Sequence, residues 1–584
     1  MMTIPSQTCV RLNAHWAQRR LRFLLWLLFP LPAACGVLPD SLFPQAVQHA
    51  GQVISESTIR ADIAELSSDA YEGRAPGTRG DAKTQTYLIN RLRNLGLTPG
   101  AADGGWRQRF DLVALHAQQP SRWTFVCTDA TPGCQQTGSG QPQTFVQGTD
   151  FIVGSGVQAP LAEVRDAEVV FVGYGIQAPE YGWDDYKGVD VRGKILLMLN
   201  NDPHEANDLF KGETRLYYGR WTYKYEIAAA LGAAGAIIVH TNYSAGYPWQ
   251  VVKTSWTGPQ YELPSDAPTT LQLEAWMTQA ASARLVAMAD KDLEVLTQAA
   301  QSRDFQTVTL GVRTNLSMVV DQQTSTSANI LGLVPGSDPQ LAQEVVVYTA
   351  HHDHLGMLPP DSGEDDLIYN GAMDNAAGVA STLSIAEAFA ELQPAPRRSV
   401  LFVFTGAEEQ GLLGSEFYAR QPTFAPGNIA ANINLDGGQV AGRSRNIAFI
   451  GYGRSTLDAV AEQAAAHQQR YVVGDLNPSA GLYYRSDHFS LARIGVPGLY
   501  FRGGTDLLDG GRERGDLLSR QYVIEHYHQT SDELSPAWQF DGLREDAQFG
   551  FYAGYLLAQQ RAKPSWYAGD EFAAARAAAL EALR

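Results

Sequence analysis

The chain has 584 residues, with 44 Lys+Arg against 62 Asp+Glu, a formal charge of -18, and is 45% hydrophobic. This composition supports a folded core and excludes a disordered chain. The acidic balance excludes a nucleic-acid binder that works by neutralising phosphates. No run of 18 apolar residues exists in the sequence, which excludes a multi-pass membrane protein.

Residues 1–35 carry Arg11, Arg19, Arg20 and Arg22 and no acid, then a short apolar run and Pro30-Leu-Pro-Ala-Ala-Cys35. A basic segment, a short apolar segment and small residues predict a secretory signal peptide. The Ala33-Ala34-Cys35-Gly36 ending resembles a bacterial lipobox, although Pro32 stands where leucine is usual. It implies a lipid anchor at Cys35 and an exported periplasmic or outer-membrane lipoprotein. Ordinary cleavage and secretion is the alternative. Loss of this segment takes the charge to -22. Of the other cysteines, Cys127 and Cys134 flank a turn-rich loop, which makes a local disulfide reasonable in an oxidising compartment.

Apolar spacing predicts helices within 57–97, broken by the turn-rich Glu72-Gly-Arg-Ala-Pro-Gly-Thr-Arg79. From about 116 to 315, short apolar runs separated by Gly and Pro predict a β-rich module with one helix near 221–231. A second helical stretch is expected at 271–288. From 316 the pattern becomes strand, loop, helix. Strands are expected at 345–349, 399–404, 429–435, 447–450 and 496–501, and helices at 376–392, 412–419, 456–468 and 547–559. Near-continuous apolar strands alternating with helices predict an α/β fold, a mixed and mostly parallel sheet flanked by helices. Function then belongs at the loops that follow the strands.

Those loops carry His351-His-Asp353-His354, Asn370-Gly-Ala-Met-Asp374-Asn375, Glu408-Glu409, Asn434-Leu-Asp436 and Tyr527-His528-Gln-Thr-Ser-Asp532. Imidazoles and carboxylates delivered by separate loops are the ligand set of zinc and similar metals. Charge matching favours two divalent ions, which together activate water and polarise a carbonyl. Acidic doublets such as Asp184-Asp185, and His204 and His240, read as surface or structural residues.

These segments, with Tyr484-Arg-Ser-Asp-His488, Ile494-Gly-Val-Pro497 and the sequence from Leu66 to Gly77, resemble the M28 metallopeptidases. The resemblance covers about 60–115 and 316–560. It implies a zinc-peptidase fold and two Zn2+ ions, with His351 and Asp436 on one, Glu409 and His528 on the other, and Asp374 bridging. It implies a strained or cis bond at Asp374-Asn375. Glu408 becomes general base on the bridging water, Asp353 orients His351, and Tyr527 donates to the developing oxyanion. His354 reads as a supporting or structural residue.

Val169-Val-Phe-Val-Gly-Tyr-Gly175, Asp190-Val-Arg-Gly-Lys-Ile195 and Gly232-Ala-Ala-Gly-Ala236 resemble a protease-associated (PA) domain. The expected organisation is a leader (1–35), a split peptidase domain (50–115 and 316–565), a PA-like insertion (116–315) and a C-terminal helix (566–584). The expected activity is an exported dizinc aminopeptidase acting on peptides. One alternative is a carboxypeptidase or dipeptidase, with Arg485 or Arg502 clamping a free carboxylate. Another is a non-catalytic binding protein on the same scaffold.

Overall fold

The computed structural model describes residues 42–128, 142–204, 209–265 and 269–584. The expected leader, Cys35 and Cys134 lie outside the described residues; Cys127 is disulfide-bonded. No helix among the described residues is long and apolar enough to cross a membrane.

The strands that carry the argument are β1 (Arg107–Ala117), β2 (Arg122–Cys127), β3 (Gln143–Val146), β4 (Phe151–Ser155), β5 (Leu161–Phe171), β6 (Ile195–Leu199), β7 (Gly235–His240), β8 (Leu273–Thr278), β9 (Val308–Val334), β10 (Val345–His351), β11 (Ser399–Thr405), β12 (Ile429–Asn434), β13 (Asn446–Ile450), β14 (Tyr471–Val473) and β15 (Gly498–Gly503). The helices are α1 (Glu56–Leu66), α2 (Arg79–Asn94), α3 (Trp221–Ala230), α4 (Gln279–Ala287), α5 (Gly378–Glu391), α6 (Leu413–Arg420), α7 (Leu457–His467), α8 (His488–Arg493), α9 (Gly511–Glu525), α10 (Phe540–Gln559) and α11 (Ala573–Glu581).

A mixed, mostly parallel sheet flanked by helices holds the candidate site, as the apolar strands predict. Its centre runs β11, β10, β12, β15, all parallel. Antiparallel β9 and β1 extend one edge, and β13 with β14 the other. Every residue of β10 and β11 is buried. Alternation sorts their side chains to two faces. Val345, Val347, Leu401 and Val403 pack with Tyr418 of α6 and Leu491 of α8. On the other face, Tyr348 stacks on Phe402 at 5.1 Å and donates to the Gly550 carbonyl of α10 at 2.8 Å. Strands covered on both sides leave only their carboxyl-end loops free to present polar groups.

A second sheet runs β4, β8, β7, β6, β5, then the first half of β9, β2 and β3. Apolar clusters cover both of its faces; one contains Ile195 and Leu197, the other Leu196 and Met198.

Three expectations change. The stretch expected as a helix at 271–288 is a strand (β8) and then a helix (α4). Its first half is drawn into the sheet by pairing with β7 and β4, so tertiary pairing overrides local pattern. The boundary expected at 315/316 falls inside β9, one continuous strand shared by both sheets. Helix α9 was not expected, because it lacks an apolar face: only Gly515 is buried.

Candidate metal centre

The neighbouring strands β10, β11 and β12 all end beside one place. Strand β10 ends at His351, and its Nε2 lies 3.2 Å from Asp374 Oδ1 and 3.5 Å from Asp436 Oδ1. The second oxygen of Asp374 faces His528 Nε2 at 3.3 Å, and Glu409 Oε2 faces the same nitrogen at 3.0 Å. Asp374 therefore stands between two imidazoles, one carboxylate oxygen toward each. Glu408 Oε2 lies 4.0 Å from His351 Nε2. The expected residues His351, Asp374, Glu408, Glu409, Asp436 and His528 all meet here. Ligand atoms of His351, Asp374 and Glu409 fall within 4.8 Å of one another, as do those of His351, Glu408 and Asp436.

The neighbouring loops are braced to one another. The Asp374-Asn375 peptide is cis. Asn375 accepts from the Gly378 and Gly437 N–H groups and donates to the Leu435 carbonyl, so it joins the Asp374 loop to the Asp436 loop. Asp532 accepts from the N–H groups of Met373 and Asp374, both at 3.1 Å. Gly371 turns the chain into this loop at φ 55°. A Cβ there would lie 2.3 Å from the Asp374 carbonyl and 2.6 Å from the His354 ring. No larger residue fits.

The paired glutamates diverge for a different reason from simple strand alternation. Strand β11 ends at Thr405, and the turn passes through Ala407 at φ 57°. Asp353 accepts from the Glu408 N–H at 3.0 Å and the Glu409 N–H at 3.3 Å. Its carboxylate lies 3.9 Å from His351 Nδ1, which instead makes a 3.3 Å contact with the Asp353 carbonyl. The expected orientation of His351 by Asp353 thus runs through the main chain, because the carboxylate is occupied with the glutamate turn. Tyr527 lies with its ring stacked on His528 at 3.9 Å and is 44% exposed. The structure gives its hydroxyl no partner in the site.

His354 Nδ1 meets Glu409 Oε1 at 2.7 Å and supports that carboxylate, in line with its supporting role. His352 points away, with Nε2 3.1 Å from Asp81. The aromatic run near Tyr217 is contact surface: Tyr217 packs on Phe489 at 4.9 Å.

Electrostatics show what the cluster lacks. Burial alone would lower both histidines, yet Glu408, Asp374 and Asp436 hold His351 well above its ordinary value. Glu409 and Asp374 push His528 up to about 10 in the same way. Burial raises Glu408 well above the carboxylate range against the pull of His351, and repulsion from Glu409, Asp436 and Asp487 adds to the rise. Four carboxylates facing two imidazoles form a site that cations would neutralise. His528 Nε2 is buried without a hydrogen bond, between two carboxylates. This donor set fits divalent zinc.

Sequence reasoning missed Arg74. It is 1% exposed and donates to the carbonyls of Leu66, His352, Asn370 and Gly371 at 2.8, 3.0, 2.6 and 2.9 Å. It thereby ties down the loops that carry His351 and Asp374. The signal was an arginine placed between Gly73 and Ala75-Pro76-Gly77 inside the turn-rich segment.

Residues 329–543 match Peptidase family M28. A probable zinc metalloprotease of Pyrenophora tritici-repentis is 40% identical over 86 residues, 15% of this chain and 19% of that protein. A vacuolar membrane protease of Candida dubliniensis is 32% identical over 118 residues, 20% of this chain and 11% of that protein. The chain thus spans less than a fifth of either relative. Among solved structures, an aminopeptidase from Aneurinibacillus sp. strain AM-1 is 18% identical with a TM-score of 0.49, covering 88% of this chain and 97% of its own. A Peptidase M28 precursor from Shewanella amazonensis SB2B is 16% identical with a TM-score of 0.43, covering 90% and 98%. One expectation is overturned here. Relatives named vacuolar membrane proteases, from Candida dubliniensis and Yarrowia lipolytica, are neither periplasmic proteins nor bacterial outer-membrane lipoproteins.

Proposed function

From a chain that belongs to Peptidase family M28 through residues 329–543, we propose a zinc metallopeptidase that removes N-terminal residues from peptides with two zinc ions. One observation carries the reading: Asp374 presents its two oxygens to two separate imidazoles, at 3.2 and 3.3 Å. That is the arrangement of a carboxylate shared by two ions. His351 and Asp436 would hold one ion, His528 and Glu409 the other.

Two zinc ions in such a site polarise the scissile carbonyl and acidify water. The remaining chemistry belongs to the chain. Glu408 takes the proton from the attacking water and passes it to the leaving amine. The Asp353 carboxylate keeps the Glu408 and Glu409 N–H groups fixed, so the base and the ligand stay aimed at different imidazoles. His354 holds the outer oxygen of Glu409. Tyr527, stacked on His528, is assigned to the developing oxyanion. The segment between β1 and the second half of β9 is assigned to a PA-like module that borders the site. The packing of Tyr217 on Phe489 and the Arg493–Glu226 ion pair at 3.3 Å support that assignment.

Three versions of one tripeptide test the specificity: free, N-acetylated and C-amidated. Cleavage is expected for the free and amidated forms and lost on acetylation. Loss on amidation, with the acetylated form still cleaved, would replace this reading by a carboxypeptidase.

Zinc uptake should release protons. His351 and His528 bind metal only as neutral imidazoles, but the site carboxylates raise both, His528 to about 10. Both therefore start protonated in the metal-free protein near neutral pH. Titrating zinc into chelator-treated protein at pH 7.5, in buffers of different ionisation enthalpy, should show about two protons released. The apparent affinity should rise with pH. Uptake without proton release would contradict the assigned ligands.

A further inference from the structure

Strand register brings two polar side chains to Asp436. Strands β12 and β15 run parallel, with Asn434 opposite Tyr500. Asp436 follows two residues after Asn434, and Arg502 two residues after Tyr500. Alternation turns Tyr500 and Arg502 to one face of β15. Tyr500 is 1% exposed, and its hydroxyl lies 3.4 Å from Asp436 Oδ2. The Arg502 guanidinium bonds to the same hydroxyl.

The direction of these bonds follows from the groups. A guanidinium only donates, so the Tyr500 oxygen accepts from Arg502 and gives its own proton to Asp436. The buried His488 ring packs on Tyr500 at 4.8 Å and helps keep the phenol out of water. Arg502 is spent on this contact, for its Nε is buried without a hydrogen bond. Burial disfavours the Arg502 charge, and Tyr500 and Asp436 hold it. A buried cation aimed at a neutral phenol is costly in itself, but it polarises the O–H bond and strengthens what the phenol donates.

The two oxygens of Asp436 are thereby divided. Oδ1 faces His351 at 3.5 Å and Oδ2 accepts from Tyr500. Glu409 is divided in the same way with a different partner: Oε2 faces His528 at 3.0 Å, and Oε1 meets His354 Nδ1 at 2.7 Å. Groups that hold the outer oxygen of a metal-binding carboxylate fix its orientation and its donor strength. Here one carboxylate is held by an imidazole and the other by a phenol backed by a cation.

We propose that Tyr500 and Arg502 are positioning residues that act through Asp436 and set the affinity of one zinc ion independently of the other. This rests on the two-ion reading above.

Zinc titration of the chelator-stripped full chain, against a competing chromophoric chelator, tests it. The wild type should take up two ions. Tyr500→Phe keeps the ring and should weaken one ion by about ten- to a hundredfold, with the other held within about twofold. Arg502→Met should weaken the same ion, and Arg502→Lys should recover part of the loss. The double variant Tyr500→Phe/Arg502→Met should be no weaker than the worse single variant, because both residues act through one bond. In Asp436→Ala, adding Tyr500→Phe should leave the remaining ion unchanged. The arginine variants keep the test intact even if Tyr500→Phe impairs folding. Equal weakening of both ions, no weakening, or additive losses in the double variant would overturn the inference. A wild type that binds a single ion would instead overturn the two-ion reading, and the inference with it.

Discussion

Glu408→Gln is expected to lower kcat by about a thousandfold with little change in KM, while metal content stays at two ions per chain. The substitution keeps the size of the side chain and removes its ability to accept a proton. Glu408 lies 4.0 Å from His351 Nε2, farther than Asp374 and Asp436, so the ligand set survives its neutralisation. The turn also survives, since Asp353 holds it through main-chain N–H groups that the substitution does not touch. Glu409→Gln should behave differently. It weakens a contact with His528 and another with His354 and should lose metal along with activity. Metal analysis beside steady-state kinetics checks both variants. Wild-type turnover in Glu408→Gln would remove it as the base.

Arg74→Met should destabilise the protein by about 3–5 kcal/mol, because four buried carbonyls lose their donor at once. Those carbonyls belong to Leu66, His352, Asn370 and Gly371, so the damage falls on the loops beside His351 and Asp374. Zinc affinity should fall with stability. Arg74→Lys should recover only part, since an ammonium cannot span carbonyls on three loops as a guanidinium fork does. Urea unfolding with and without zinc measures both effects. An unchanged midpoint would show that the carbonyls find other partners.

Much of the sheet and of the candidate site was legible in the sequence. Strands such as β10 and β11 are buried at every residue and mostly apolar because both faces are covered, and that leaves the polar loops conspicuous at their ends. The ligand candidates stood out for this reason. What the sequence hid was connection between loops. Arg74 works through main-chain carbonyls, Asn375 through neighbouring amides and Asp353 through the glutamate turn. Bonds of this kind depend on tertiary neighbours and leave no periodic signal. Helix α9 was missed because its stripe is polar, and β8 because strand pairing, a distant effect, decides its state.

Strand β9 also bears on how such a chain tolerates change. Ala117, the last residue of β1, pairs directly with Val320 of β9. Apart from Gln260–Glu262, which pairs beside Val113–Leu115, the chain leaves this sheet and returns to it at hydrogen-bonded neighbours, so the stretch between behaves topologically as one enlarged hairpin loop. Closing a loop across adjacent ladder partners costs little extra entropy as the loop grows. Residues 118–319 can therefore be shortened, exchanged or diversified with the register of β9 against β11 preserved. The carboxyl ends that carry the proposed metal ligands keep their alignment, while the surface beside them is free to evolve.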